Sequence, residues 1–337
     1  MSKKNIITII VGILIGMILL GVWASYVNVE QMMKYLQNLR INYVVYASLF
    51  YISAYFIRAT RWSILLNTHF KVSLKRTFLY AMAGNFLNYM IPIRAGEVAK
   101  SYFLKKSNKI PYTKSFPSIF VDKVFDTLGI FFVLILIPFV RLELSPVIII
   151  LLILLLVIFL IGFGIILLAA KAHGHVSNFL KKFFFWLPER LKGKVYRVIE
   201  LVVEGTGLFH NHLYLLLPVI LLTALGIVLD AVYFNFIFLA FNLHVDFLII
   251  MLGYTLINLS YVLPQPPAQL GSNEWMMVII FAVGFGLLKE EMAAIMAFAH
   301  VLTAVIMTVF GIISLSYAGI KNIDFLNRGD ELNDESQ

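Results

Sequence analysis

From Ile148 to Ile161 the chain runs without one polar side chain, and from Pro146 to Ala170 it carries no charge. Unbroken apolar stretches of this length meet the requirement for a membrane-crossing helix, about 20 residues for a hydrocarbon core roughly 30 Å thick. Five more stretches read the same way: 5–26, 41–60, 117–140, 213–240 and 292–320. A β-barrel would instead alternate apolar and polar residues along segments of about ten. The expected fold is therefore an all-α polytopic membrane protein with six full spans. Composition agrees. Of 337 residues, 61% are hydrophobic and 13% charged, against about half and about a quarter in soluble domains. Disorder is excluded more firmly, since it needs low hydrophobicity.

Two further apolar stretches are interrupted. One, 77–93, ends at Pro92. The other, 247–288, is broken by Pro264, Pro266, Pro267 and Gly271. Basic residues crowd both flanks of the first: Arg58, Arg61, Lys71, Lys75 and Arg76 before it, and Arg94, Lys100, Lys105, Lys106, Lys109 and Lys114 after it. The positive-inside rule places both flanks in the cytoplasm. A simple span cannot have both ends on one side, so 77–103 reads as a re-entrant excursion. The rest of the topology follows, with both termini cytoplasmic. Of the 27 lysines and arginines, only Lys34, Arg40, Arg141 and Lys289 then fall in outside loops, and Lys123 within a span. The net charge of +9 is thus a topology signal rather than a nucleic-acid footprint. The stretch 247–288 starts and ends outside, as a second re-entrant hairpin or as two short spans. Irregular backbone at membrane depth must be wrapped by other helices or line a polar cavity.

The whole of 1–320 reads as one integral membrane domain. Lys3 and Lys4 precede an apolar run longer than a signal-peptide core, so the first span is expected to be uncleaved. The segment 171–212 reads as a cytoplasmic helical loop. There Lys181, Lys182, Lys192 and Lys194 flank Phe183, Phe184, Phe185 and Trp186, which suits an interfacial helix on anionic lipid or a solvated linker with an aromatic anchor. The tail 321–337 is short and acidic. No cysteine is present, which removes disulfides, thiolate catalysis and cysteine-held metal. No cofactor or metal site is expected. The pairs His173/His175 and His210/His212 read as loop histidines at a membrane edge more readily than as ligands. There is no phosphate-cradling glycine loop and no Ser-His-Asp order.

The two broken segments share an order. The first has Asn88, Pro92, Gly96 and Glu97; the second has Asn258, Pro264, Gly271 and Glu274. One enters from inside and one from outside, which is the pattern of an inverted repeat with discontinuous helices. Such segments place half-helix ends near the midplane, where helix N-termini attract anions. Arg94 and Glu97, three apart, can pair as a structural salt bridge, or Arg94 can serve as a fork for a lipid phosphate with Glu97 as its gate. Asp122, Lys123 and Asp126 lie in an apolar run, and Asp230 lies mid-span. Intramembrane charges cost several kcal/mol unless paired or hydrated, so these residues form either a local ion-pair network or a functional polar cavity. Arg58 and Arg61, beside Trp62, read equally as interfacial anchors and as phosphate ligands.

These residues carry a family resemblance. Pro92-x-Arg94-x-Gly96-Glu97 resembles the flippase-like membrane domain of lysylphosphatidylglycerol synthases and their stand-alone relatives, and so does Arg58-Ala-Thr-Arg61-Trp62. Val121-Asp-Lys-Val-Phe-Asp126 looks like the family's charged pair followed by Asp, with Asp122 and Lys123 where Glu-Arg is usual. Pro264 through Glu274 looks like the second motif, with Pro267-Ala268-Gln269 in place of Pro-Gly-Gly. The resemblance implies a cell-membrane protein that binds or moves anionic lipids, such as aminoacylated phospholipid or polyprenyl-linked sugar carriers. It implies the flippase-like half without an aminoacyltransferase domain, for which the chain has no room. The two opposed broken helices, the internal charges and the basic cytoplasmic surface suggest a scheme in which Arg94, Arg61 and Arg58 bind the lipid phosphate, and Glu97 and Glu274 gate the two sides. Asn88 and Asn258 flank the breaks, while Asp122, Lys123, Asp126 and Asp230 line the path, the acids taking up protons. Partners are membrane lipids, and no nucleic acid. The alternatives are a non-catalytic membrane partner of a separate glycosyl or lipid-modifying transferase, and an intramembrane transferase or phosphatase in which Asp122 and Asp126 act on a lipid carrier.

Overall fold

A computed structural model describes residues 3–91, 96–133, 212–261 and 265–318, with isolated positions between 153 and 200. Every described element is helical. Numbered over the described helices, these are α1 (Lys3–Tyr26), α2 (Val29–Leu36), α3 (Ile41–Leu66), α4 (Leu74–Met90), α5 (Gly96–Asn108), α6 (Tyr112–Phe132), α7 (Leu216–Ala240), α8 (Phe247–Ser260), α9 (Ser272–Met277) and α10 (Lys289–Tyr317). A π-helical stretch, Val278–Gly284, continues α9. Among the described residues, three helices are long and apolar enough to cross a membrane: Ile7–Tyr26, Leu213–Ala240 and Lys289–Tyr317. The expected span 146–170 and the loop 171–212 lie almost wholly outside the described residues, as do Pro92, Arg94, Pro264 and the tail.

The bundle is organised by α3 and α7, which pack along each other. On α3 the residues Val44, Ala47, Tyr51, Ala54, Arg61 and Leu65 are buried. Their spacing of three, four and seven marks one helix face. Facing it on α7 are Thr223, Gly226, Asp230, Tyr233 and Ile237, also buried. Small residues let the backbones approach, as membrane helices require when no hydrophobic force acts between them. Phe50 stacks on Phe236 at 5.3 Å, and the rings of Tyr51 and Tyr233 lie 5.0 Å apart. The α3 stripe is apolar at one end and charged at the other, and the α7 stripe carries Asp230 midway. The same helix–helix contact that seals one end of the bundle therefore draws Arg58, Arg61 and Asp230 inward.

The two broken segments are helical hairpins. Helix α4 has 17 residues and α5 has 13, so they rise about 25 Å and 20 Å. Helix α8, with 14, rises about 21 Å. None crosses a core of about 30 Å by itself. In the first hairpin α4 packs on α5. A side chain on Gly84 would meet the Gly96 carbonyl oxygen at 2.8 Å, and one on Gly96 would overlap the Gly84 carbonyl and Asn88. Only glycine permits this approach. The second hairpin turns through Pro267–Gln269. Ala268 and Gln269 both have positive φ, 53° and 57°, followed by Gly271 at 75°. The turn packs against α1 and against α4, so it meets the first hairpin inside the bundle. A short helix not foreseen from the sequence, α2, docks on α10 through buried Met32. Asn28 caps it, its side chain accepting a bond from the Gln31 N–H at 3.1 Å.

Candidate functional site

Between the hairpin tips and the α3–α7 pair lies a cavity of about 330 Å³. It has a charged end and a polar end, joined by aromatic walls.

The charged end is an ion-pair network. Arg61 is 1% exposed. Its Nε donates to Asp122 Oδ1 at 2.8 Å, its Nη2 to Asp126 Oδ1 at 2.7 Å and its Nη1 to Thr223 Oγ1 at 3.1 Å. Arg58 donates through both Nη atoms to the two oxygens of Asp230, and its Nε lies 3.5 Å from Asp126. Lys123 Nζ stands 3.9 Å from Asp126. Buried Lys100 from α5 faces Asp122 and sits 5.4 Å over the Trp62 ring. Four cations thus face three carboxylates among the described residues. The geometry follows from helix periodicity. Asp122 and Asp126 are four apart and share one face of α6; Arg58 and Arg61 are three apart and share one face of α3. The arginines are used differently. Arg61 is enclosed by protein acceptors, whereas the side chains of Arg58 and Lys123 keep 25% and 47% exposure and line the cavity.

The polar end is built by the hairpins and α10. Asn88 spans the first break: its Oδ1 accepts from the Gly96 N–H at 2.7 Å, and its Nδ2 donates to Glu97 Oε1 at 3.0 Å. Glu97 is therefore held by an amide of its own hairpin. Glu274 is held from outside its hairpin, by His300 of α10, with 2.6 Å between Oε1 and Nδ1. His300 Nε2 lies 2.7 Å from the Ala268 carbonyl and 3.0 Å from the Tyr89 hydroxyl. One imidazole thus ties both hairpin tips to the last helix. Glu274 is 4% exposed and its Oε2 has no described partner. Gln269 Oε1 accepts from Asn273 Nδ2 at 3.0 Å. Between the two ends, Tyr51, Tyr55, Tyr233, Tyr254 and Tyr261 line the cavity, and Asn258 joins them.

Arg58, Arg61, Asp122, Lys123, Asp126 and Asp230 are thus brought together in one network, and Glu97, Asn88, Glu274 and Asn258 gather at the hairpins. The sequence did not single out His300, Tyr89, Lys100, Thr223, Asn273 or the tyrosines of the cavity wall. For His300 the signal was present. It lies in an apolar helix on the stripe Met292, Met296, His300, Met307, and an ionisable side chain there is a functional candidate by default.

This arrangement stands on a recognised scaffold. The profile of the lysylphosphatidylglycerol synthase TM region matches residues 9–311. The chain belongs to that family. The chain is similar to the UPF0104 membrane protein MJ1595 of Methanocaldococcus jannaschii, 22% identical over 329 residues, 94% of this chain and 96% of the relative. The UPF0104 membrane protein PH1989 of Pyrococcus horikoshii is 30% identical over 131 residues, 38% of each chain. A 128-residue stretch, 37% of this chain, is 25% identical to 20% of the glycosyltransferase AglD of Haloferax volcanii. No solved structure matches the chain. Membership makes this an integral membrane protein of the lysylphosphatidylglycerol synthase TM-region family.

Proposed function

We propose that this family member is a lipid translocase of the cell membrane. Its cavity receives the headgroup of an anionic phospholipid or a polyprenyl-phosphate-linked lipid, while the acyl chains stay in the bilayer. The observation that carries this reading is the cavity itself. It lies inside a membrane bundle, its volume of about 330 Å³ falls in the range of small-ligand sites, and one end has an excess of cation over carboxylate. Arg58 and Lys123 are the network cations open to the cavity, and they meet the phosphate; Arg94 of the first motif, outside the described residues, is a further phosphate ligand. Arg61 holds Asp122 and Asp126 in position. Glu97 and Glu274, one on each hairpin, gate the two faces. Both termini lie in the cytoplasm, as the basic residues require.

The test is reconstitution into phosphatidylglycerol-containing liposomes with fluorescent phosphatidylglycerol and a membrane-impermeant quencher. Wild-type protein exposes inner-leaflet probe, and Arg58→Ala and Arg94→Ala each slow this tenfold or more. Wild-type rates in both variants, or no exchange with wild type, overturn the reading.

A second reading has one observation behind it, the likeness to part of the glycosyltransferase AglD. In that reading the chain is the non-catalytic membrane partner of a separate glycosyl or lipid-modifying transferase, and a stoichiometric transferase co-purifies with it.

A further inference from the structure

The hydrogen-bond pattern around His300 leaves no freedom in the placement of its first proton. The Ala268 carbonyl, 2.7 Å from Nε2, can only accept, so Nε2 carries a proton. The Tyr89 oxygen, 3.0 Å away, shares that same proton as an acceptor. On the other side of the ring, 2.6 Å separates Nδ1 from Glu274 Oε1. Two bare lone pairs do not sit at that distance, so a second proton lies between them. It rides either on the carboxyl, beside a neutral imidazole, or on the imidazole, beside a carboxylate; both states carry no net charge. Glu274 Oε2 has no described partner, a costly position for a carboxylate oxygen and a milder one for the carbonyl of an acid.

We propose that Glu274 and His300 form a proton-binding site that latches the second hairpin to α10, and that release of this one proton to the cavity opens the latch. In the loss step the proton leaves the Glu274–His300 contact for water in the cavity. A carboxylate and an imidazole lone pair remain face to face. No described lysine or arginine lies within ion-pair distance of Glu274, so the uncompensated charge drives the two apart. Because the same imidazole holds the Ala268 carbonyl and the Tyr89 hydroxyl, its departure frees both hairpin tips together. The ionisable groups turned toward the pair are Tyr89 from α4 and Tyr261 after α8; Tyr55 of α3 and Asp230 of α7 face Tyr261 in turn. Glu97 of α5 lines the same cavity. From α1 the neighbouring contact is the Leu19 carbonyl, which accepts from Trp275 Nε1 at 2.9 Å. Asp122, Asp126 and Asp230 each already face a guanidinium, which leaves Glu274 as the buried acid whose partner can itself lose a proton. That this proton is coupled to lipid movement rests on the translocase reading; that the pair binds it does not.

Two measurements separate these statements. The first is the infrared difference spectrum of the full-length protein in nanodiscs between acidic and alkaline pH. Wild type should show carboxyl and imidazole bands of a buried titrating pair, lost in both E274Q and H300Q and kept in E97Q. Spectra unchanged by both substitutions overturn the proton site, as does a wild-type spectrum without those bands. The isosteric E274Q carries this arm if H300Q does not fold. The second is the liposome assay with fluorescent phosphatidylglycerol under opposed pH gradients. The ratio of the two wild-type rates should depart several-fold from one, and should collapse to one in E274Q. A titrating pair with a wild-type ratio of one retains the site and overturns the coupling. Absence of any lipid exchange refutes the translocase reading, and with it the coupling, while the infrared arm still decides the site.

Discussion

The two broken hairpins carry the same order of Asn, Pro, Gly and Glu, yet their breaks are held in different ways. The break of the first is bridged from within, while α4 itself packs on α10 and its Tyr89 reaches His300. Gly84 and Gly96 touch backbone to backbone, and Asn88 binds both the Gly96 N–H and Glu97. The second is held by its neighbours. Glu274 reaches His300 on α10, Trp275 donates to the Leu19 carbonyl of α1, and Gly271 lies against α1. Asn258, the counterpart of Asn88, lines the cavity while Glu274 turns to the histidine. The difference lies at the breaks: an amide of the same hairpin bridges one, and groups of neighbouring helices hold the other. Bonds within a hairpin persist wherever it moves, whereas bonds to other helices must break before it can move.

Five substitutions would break or sharpen this contrast. The largest effect is expected outside both hairpins, in the network against which they rest. Arg61→Met leaves Asp122 and Asp126 without their shared partner, and removal of one member of a buried ion pair costs about 3–5 kcal/mol. Thermal unfolding in detergent should show this loss, and hydrogen exchange should rise in α3, α6 and α7 together. Next is Gly96→Ala, whose methyl group would overlap the Gly84 carbonyl. We expect about 3 kcal/mol, in the upper range for single substitutions, with exchange protection lost in α4 and α5 and retained in α8. Equal loss in both hairpins would show that the Gly84–Gly96 contact supports more than its own break.

Asn88→Ala removes two bonds that both lie inside the first hairpin. A buried group left unpartnered costs about 1–3 kcal/mol, and the added exchange should be confined to residues near the break. The smallest effect has the opposite sign. Ala268 occupies left-handed backbone, which costs a non-glycine residue roughly 1–2 kcal/mol. Ala268→Gly should recover about 0.5–1 kcal/mol after the entropy that glycine adds to the unfolded chain, read as a higher Tm. Gln269→Gly removes the same strain but also the acceptor for Asn273, so its Tm should stay near wild type. A gain equal to that of Ala268→Gly would mean that the Gln269–Asn273 bond contributes nothing.

Much of the fold was legible because hydrophobicity at membrane depth is a strong, local signal. Expected spans at 5–26, 41–60, 213–240 and 292–320 correspond to helices Lys3–Tyr26, Ile41–Leu66, Leu216–Ala240 and Lys289–Tyr317. The interruptions at 77–93 and 247–288 were visible because proline and glycine punctuate helices. The helix of 41–60 extends past Arg58 and Arg61 to Leu66 because those arginines turn inward on its buried stripe and find acids there, so they do not end it as surface anchors would. The departure at Pro267-Ala268-Gln269 was readable as a change of residue. Its meaning, two side chains in backbone that favours glycine, was not. His300 was overlooked because one histidine makes no pattern, whereas the pairs at 173/175 and 210/212 do; His173, His175 and His210 lie outside the described residues.

By itself the sequence determined that the chain lives in a bilayer, which segments are helical, and where they break, because each of these depends on residues adjacent along the chain. It also put charges into apolar helices, and so demanded that partners exist. The choice of partner belonged to the tertiary structure. Asp230 pairs with Arg58, and Glu274 with His300 rather than with an arginine. Both are contacts between helices distant in sequence, decided by which faces α3, α7, α9 and α10 turn toward each other.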